Sequence, residues 1–144
     1  MGPLSLPADG SVYIDSQVVI YEVEDRQPFR RLFDPLWQRM ASGELVALTS
    51  ELTWLEVMVH PLRRGDQALE AAFRNALTRS GLRVKPITLA VLSEAARLRA
   101  LRPSLRTPDA IHVATALVTG CTMFLTNDQR IRDIPGLPVS YLSL

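Results

Sequence analysis

The chain has 144 residues, of which 47% are hydrophobic and 22% charged, with a formal net charge of +1. That length suits one domain, since roughly 100–200 residues per domain is usual, and burial of roughly 68–70% of the unfolded surface supports a core without covalent staples. Seven glycines, ten prolines and the single Cys121 exclude collagen-like, disordered and disulfide-scaffold classes.

A lone thiol and the lack of a signal peptide point to a reducing, cytoplasmic setting. Met1 to Gly10 has neither a basic residue nor an apolar block. Residues 1–11 are therefore expected to form a loose leader before a single domain over 12–144. No apolar run approaches the roughly 20 residues of a membrane helix. Of the 16 basic residues, Lys85 is the one lysine and the rest are arginine. Either a GC-rich genome biases the codons, or phosphate is recognised, because the planar guanidinium fork grips phosphate at two points. A sequence pI of about 8.0 permits a nucleic-acid partner without demanding one.

In chain order, Val12-Tyr13-Ile14 reads as a short strand. Gln17 to Glu24 and Pro28 to Ser42 read as helices, the second with Phe29, Leu32, Phe33, Leu36, Trp37 and Met40 at three- and four-residue spacing. Leu45 to Leu48 is a second strand, followed by a Thr49-Ser50 cap and a helix to about His60, broken at Pro61 to Gly65. Asp66 to Arg79 resumes the helical period and closes at Ser80-Gly81. Leu82 to Ile87 is a strand, Leu89 to Leu101 and Thr107 to Val118 are helices, Thr122 to Thr126 is a strand, and Pro138 to Leu142 is an edge strand because of its proline. Strands alternating with helices predict a three-layer αβα sandwich around a mostly parallel sheet of about five strands.

Four acids fall where solvated surface charges are not expected. Asp15 ends the first strand and Asp128 follows the fourth by two residues. Ligands of open α/β sheets bind outside the carboxyl ends of the strands, so these two acids are candidates for one pocket. Asp109 sits in the first turn of a helix with Thr107 as N-cap and Pro108 at the first helical position. There the helix dipole alone favours an acid by roughly 0.3–1 kcal/mol. Glu56 has apolar neighbours at Leu52, Leu55, Val57 and Val59, so it lies beside a buried face and needs a partner, either one of the arginines or a cluster.

If the four converge, two unit charges about 5 Å apart repel by roughly 3 kcal/mol at an effective dielectric of 20, and a counter-charge is required. Hard Mg²⁺ or Mn²⁺ suits carboxylate oxygens. Zinc does not fit, since His60, His112 and Cys121 have no metal-ligand spacing. Such a pocket can activate water and neutralise a phosphodiester.

Three blocks now carry a resemblance. They are Val12-Tyr13-Ile14-Asp15-Ser16, then Thr49 through Val57, whose last glutamate is Glu56, then Thr107 through Ala116 with Phe124-Leu125-Thr126-Asn127-Asp128. Together with the trailing Ile134-Pro135-Gly136-Leu137-Pro138-Val139 they resemble the PIN domain family, and within it the VapC-type toxin ribonucleases. The resemblance implies an αβα fold with Asp15, Glu56, Asp109 and Asp128 around Mg²⁺. In it Asp15 and Asp109 are principal ligands, Asp128 is a ligand or an acid just behind the ligands, and Glu56 is a ligand or water-orienting base. Ser16, Thr126 and Asn127 would support the metal site. The resemblance further implies cleavage of single-stranded or looped RNA, homodimerisation and restraint by a small cognate antitoxin protein. The chain departs from the family at Ser16-Gln17, where Thr-Asn is usual, and the longer Gln17 could reposition a hydrogen bond at the metal.

Arg130 and Arg132, close behind Asp128, are candidates for phosphate contacts, or else a solvated loop. His112, one turn after Asp109, could touch substrate or pack between helices. Trp37 and Trp54 sit on apolar faces and read as core. An aspartate-nucleophile phosphatase is set aside because Asp15-Ser16-Gln17 lacks the second acid of its D-x-D motif. The remaining alternative is a non-catalytic PIN-like module that binds RNA or protein through a weakened metal site.

Overall fold

Alternation along one short strand sets the architecture: Val12 and Ile14 point into one core and Tyr13 into another. The computed structural model describes residues 6–25, 27, 29–79 and 81–142. Its strands are β1 (Ser11–Ile14), β2 (Val46–Ser50), β3 (Leu82–Lys85), β4 (Met123–Thr126) and β5 (Val139–Tyr141). They pair in the order β3-β2-β1-β4-β5, every pair parallel, so the sheet is wholly rather than mostly parallel. Among the described residues the helices are α1 (Ser16–Val23), α2 (Phe29–Leu32), α3 (Asp34–Ala41), α4 (Glu51–Arg64), α5 (Gln67–Leu77), α6 (Leu89–Leu101) and α7 (Thr107–Val118).

One face of the sheet packs Val12, Ile14 and Leu125 against Val18 and Val19 of α1, Leu36 of α3, Val57 of α4 and Phe73 of α5. The other packs Tyr13, Leu48 and Phe124 against Val91 and Leu98 of α6 and the small residues Ala110, Val113 and Ala114 of α7. Small side chains let α7 lie close on the sheet. This is the expected three-layer sandwich. The chain runs from β1 outward to β2 and β3, then returns across the sheet to β4, so β1 and β4 flank the point where strand order reverses. Ligand crevices form there, outside the carboxyl ends of the strands.

Four local expectations need correction. The single helix over 28–42 divides into α2 and α3, because Pro35 has no N–H for the fourth carbonyl behind it and fits only a helix's first turn. The helix expected to break at Pro61 continues to Arg64, with Pro61 buried on its packed face, and stops at Gly65 in the left-handed region (φ 63°). Asp66 caps α5 through Leu69 N–H at 3.0 Å, so the helix starts one residue later than expected. Arg106, not Thr107, is the N-cap of α7, which puts Asp109 at the third helical position.

Pro28, Ser80, residues 1–5 of the expected leader and 143–144 of the expected domain lie outside the described residues. Within the remaining leader, Leu6 packs on the first core and the Ala8 carbonyl accepts Arg39 Nη2 at 2.6 Å. No helix among the described residues is long and apolar enough to cross a membrane.

Leu125 is fully buried within β4, which packs against α1. Leu125→Ala is expected to lower the free energy of unfolding by about 2–5 kcal/mol. A urea titration checks this, and a midpoint within error of the parent would contradict it.

Candidate active site

Asp15 leaves β1 directly and begins α1. Its Oδ1 accepts the N–H groups of Gln17 (3.1 Å) and Val18 (3.3 Å), the usual work of an N-cap. Its Oδ2 accepts the Thr126 hydroxyl at 2.5 Å. The residue is 6% exposed. Burial pushes its carboxyl up to about 6, against the opposing pull of the Thr126 hydroxyl, His112 and the two amides.

Thr126 closes β4 and binds in two directions. While donating to Asp15, its hydroxyl oxygen accepts the Asp128 N–H at 3.0 Å. Asp128 is in turn held by Arg130, whose backbone N–H (2.9 Å) and Nε (3.0 Å) donate to Oδ1 and whose Nη2 (2.7 Å) donates to Oδ2. That guanidinium holds the Asp128 carboxyl below its usual range.

Asp109 is buried at the start of α7. Its Oδ2 accepts the Arg106 backbone N–H at 3.1 Å, the returning half of a capping box, and lies 3.4 Å from Arg106 Nε. Glu56, on α4, is half-buried, and its Oε1 lies 2.6 Å from His112 Nε2 on α7. The other ring nitrogen of His112 is 2.5 Å from the hydroxyl of fully buried Tyr13. Burial, with the charges of Asp15 and Glu56 adding to it, holds the Tyr13 phenol well above its usual value.

The structure thus joins Asp15 and Asp128 through Thr126 and leads from Glu56 through His112 to Tyr13. Arg106 acts on Asp128 and Asp109 acts on Arg130, so these two acids share a field. Among the described residues, however, no three of His, Cys, Asp and Glu stand close enough together to hold one metal ion. The donor chemistry itself suits a hard divalent cation: carboxylates and the Thr126 hydroxyl, while Gln17, whose backbone N–H binds Asp15, has a buried Oε1 with no hydrogen-bond partner among the described residues. Cys121 precedes β4, at the other end of that strand from Asp128, and offers no soft ligand here.

Ser16 opens α1 next to Asp15. Asn127 Nδ2 donates to Tyr21 Oη at 3.3 Å, tying the β4 end to α1. Arg132 is exposed, and its carbonyl accepts Arg102 Nη1 at 3.2 Å. Trp37 and Trp54 pack against the core as expected.

Sequence reasoning left Glu56 to one of the arginines or to the acidic cluster, and the structure gives it His112 as its hydrogen-bond partner. It also missed Tyr13 and Arg106. The available signals were the three-residue offset of His112 from Asp109 on one helix face and the opposite phase of Tyr13 to Val12 and Ile14.

A model of the family described as PIN domain matches residues 12–137. Among solved structures, the chain is similar to a toxin–antitoxin complex from Klebsiella pneumoniae, at 24% identity, 88% of this chain, 94% of that one and a TM-score of 0.66. It is also similar to VapBC2 from Rickettsia felis bound to a promoter DNA fragment, at 12% identity, 92% and 99% coverage and a TM-score of 0.74. A third is VapC20 of Mycobacterium tuberculosis, a sarcin-ricin-loop-cleaving toxin, at 17% identity, 78% and 86% coverage and a TM-score of 0.63. None of the curated proteins matches the sequence.

Because Asp15 binds its proton more tightly folded than unfolded, its stabilising contribution is full below pH 3.8 and is lost as pH rises to about 6. Ionisation then costs about 3 kcal/mol relative to a neutral isostere. In EDTA-containing buffer, Asp15→Asn is expected to unfold at higher urea than the parent at about pH 7, with the gap closing by about pH 4. Parallel midpoints across that range would refute the assignment.

Proposed function

The chain belongs to the PIN domain family, and from that premise we propose a divalent-metal-dependent endoribonuclease of single-stranded or looped RNA. In this reading it is the cytoplasmic toxin of a toxin–antitoxin pair, homodimeric and restrained by a small cognate antitoxin protein. The observation that carries the catalytic part is the Asp15–Thr126–Asp128 linkage at the carboxyl ends of β1 and β4, with buried Asp109 on α7. Two of the similar structures are toxin–antitoxin assemblies, and a third is named for cleaving an RNA loop, which supports the partner and the substrate class.

Asp15, Asp109 and Asp128 would hold Mg²⁺ or Mn²⁺, with Ser16, Thr126 and Asn127 in support. When bound, such an ion neutralises phosphate charge and makes its water more acidic. Glu56 orients the attacking water and takes its proton, its carboxylate steadied by His112. Arg130 and Arg132 lie exposed on the loop after β4, where they can meet the backbone phosphates of an entering strand. Attack in line on the scissile phosphate leaves 3′-hydroxyl and 5′-phosphate ends.

Labelled RNA incubated with the protein is expected to be cut in Mg²⁺ or Mn²⁺ and left intact in EDTA. Asp109→Asn should cost several kcal/mol of transition-state stabilisation, about 100-fold or more in rate. Retained cleavage in both Asp15→Asn and Asp109→Asn would overturn the assignment, and no cleavage with any metal would favour a non-catalytic module that binds RNA or protein. For the loop arginines, Arg132→Ala should weaken RNA binding across sequences and lower the salt slope by about one. An unchanged slope in a binding titration at several salt concentrations would remove Arg132 from the interface.

A further inference from the structure

Tyr13, His112 and Glu56 come from β1, α7 and α4, and meet in one hydrogen-bonded chain, with the Thr49 hydroxyl also facing the phenol. Tyr13 is wholly buried, His112 is 4% exposed, and the Glu56 side chain is 29% exposed. The chain therefore runs from the interior to the one member that water reaches. Beside Glu56 lies a cleft of about 280 Å³ lined by Ile20, Val57, His60 and Phe73.

We infer that Tyr13 and His112 are positioning residues for Glu56: the phenol selects the Nε2–H tautomer of His112, and that N–H fixes the carboxylate through Oε1. The inference rests on the nuclease reading for its consequence, since Glu56 acts there on the attacking water.

A buried phenol must place its O–H on an acceptor. His112 Nδ1, at 2.5 Å, is in place to receive it. A neutral imidazole accepting at Nδ1 carries its proton on Nε2. That N–H then donates to Glu56 Oε1 at 2.6 Å, a charge-assisted bond. Two ring contacts hold the donor in place. Tyr13 stacks on Phe124 with centroids 4.9 Å apart, and meets the imidazole edge-on at 5.8 Å and 65°.

With Oε1 engaged, Oε2 is left to accept a proton from water. A chain that served packing alone would end in the core, where apolar side chains of similar volume do as well or better. This one ends on a carboxylate at the edge of a cleft.

The test compares His112→Gln, whose amide nitrogen falls near the Nε2 position, with His112→Asn, whose amide nitrogen falls near Nδ1. In Mn²⁺-supported cleavage of a labelled RNA, His112→Asn is expected to lower kcat about tenfold or more with KM unchanged. His112→Gln should restore most of that loss. Nitrogen NMR of the metal-free parent should show protonated Nε2 and unprotonated Nδ1, and Tyr13→Phe should give a mixture of tautomers. A parent ring protonated at Nδ1 overturns the inference, as does equal kcat in the two His112 variants. If the parent cuts no RNA, the nuclease reading fails and the NMR result alone decides the positioning chain. It decides likewise if His112→Asn does not fold.

Discussion

The buried carboxylate of Asp15 is the constraint around which the site is arranged. It stands at the end of the central strand, where the strand order reverses, and three donors converge on it: two amides of α1 and the hydroxyl of Thr126. Those donors join α1 and β4 to β1 at one point. They do not fully offset the loss of water, since the carboxyl is still pushed up to about 6. The protein thus keeps at neutral pH a charge that its own fold disfavours. A residue kept only for stability would be neutral at this position, and such a local conflict between stability and chemistry is typical of functional sites.

Much of this was legible in the sequence because the signals are local. Val12-Tyr13-Ile14 and Met123-Phe124-Leu125 are short continuous apolar runs, the sign of parallel strands buried on both faces. The bounds of α6 and α7 follow from their helical period and flanking signals, and the strand-end acids follow from where those elements stop. What failed depended on packing or on distance. Pro61 reads as a breaker from its chemistry, yet burial of its helix face outweighs one missing hydrogen bond. Glu56 and His112 are 56 positions apart, and Tyr13 and His112 are 99 apart. No periodicity links residues at such separations, so the sequence could say that Glu56 needs a partner without naming His112.

Arg130 illustrates a different limit. Its closeness to Asp128 in sequence suggested a phosphate contact, and in the structure its guanidinium clasps that same acid in a fork. Proximity announced an interaction without saying with what, because an arginine two residues from a carboxylate satisfies its donors locally before any ligand arrives.

Thr126 therefore stands between two acids whose environments diverge. On one side Asp15, dehydrated and receiving the hydroxyl, holds its proton to about pH 6. On the other Asp128, whose backbone N–H binds the same hydroxyl oxygen, is kept ionised by Arg130. The two carboxyls are thus pushed in opposite directions although they are identical in chemistry, and at neutral pH both carry the charge that a divalent cation would meet. It follows that the identity of residue 126 matters to both acids at once: a valine of the same shape would remove the donor from Asp15 and the acceptor from the Asp128 amide in a single step.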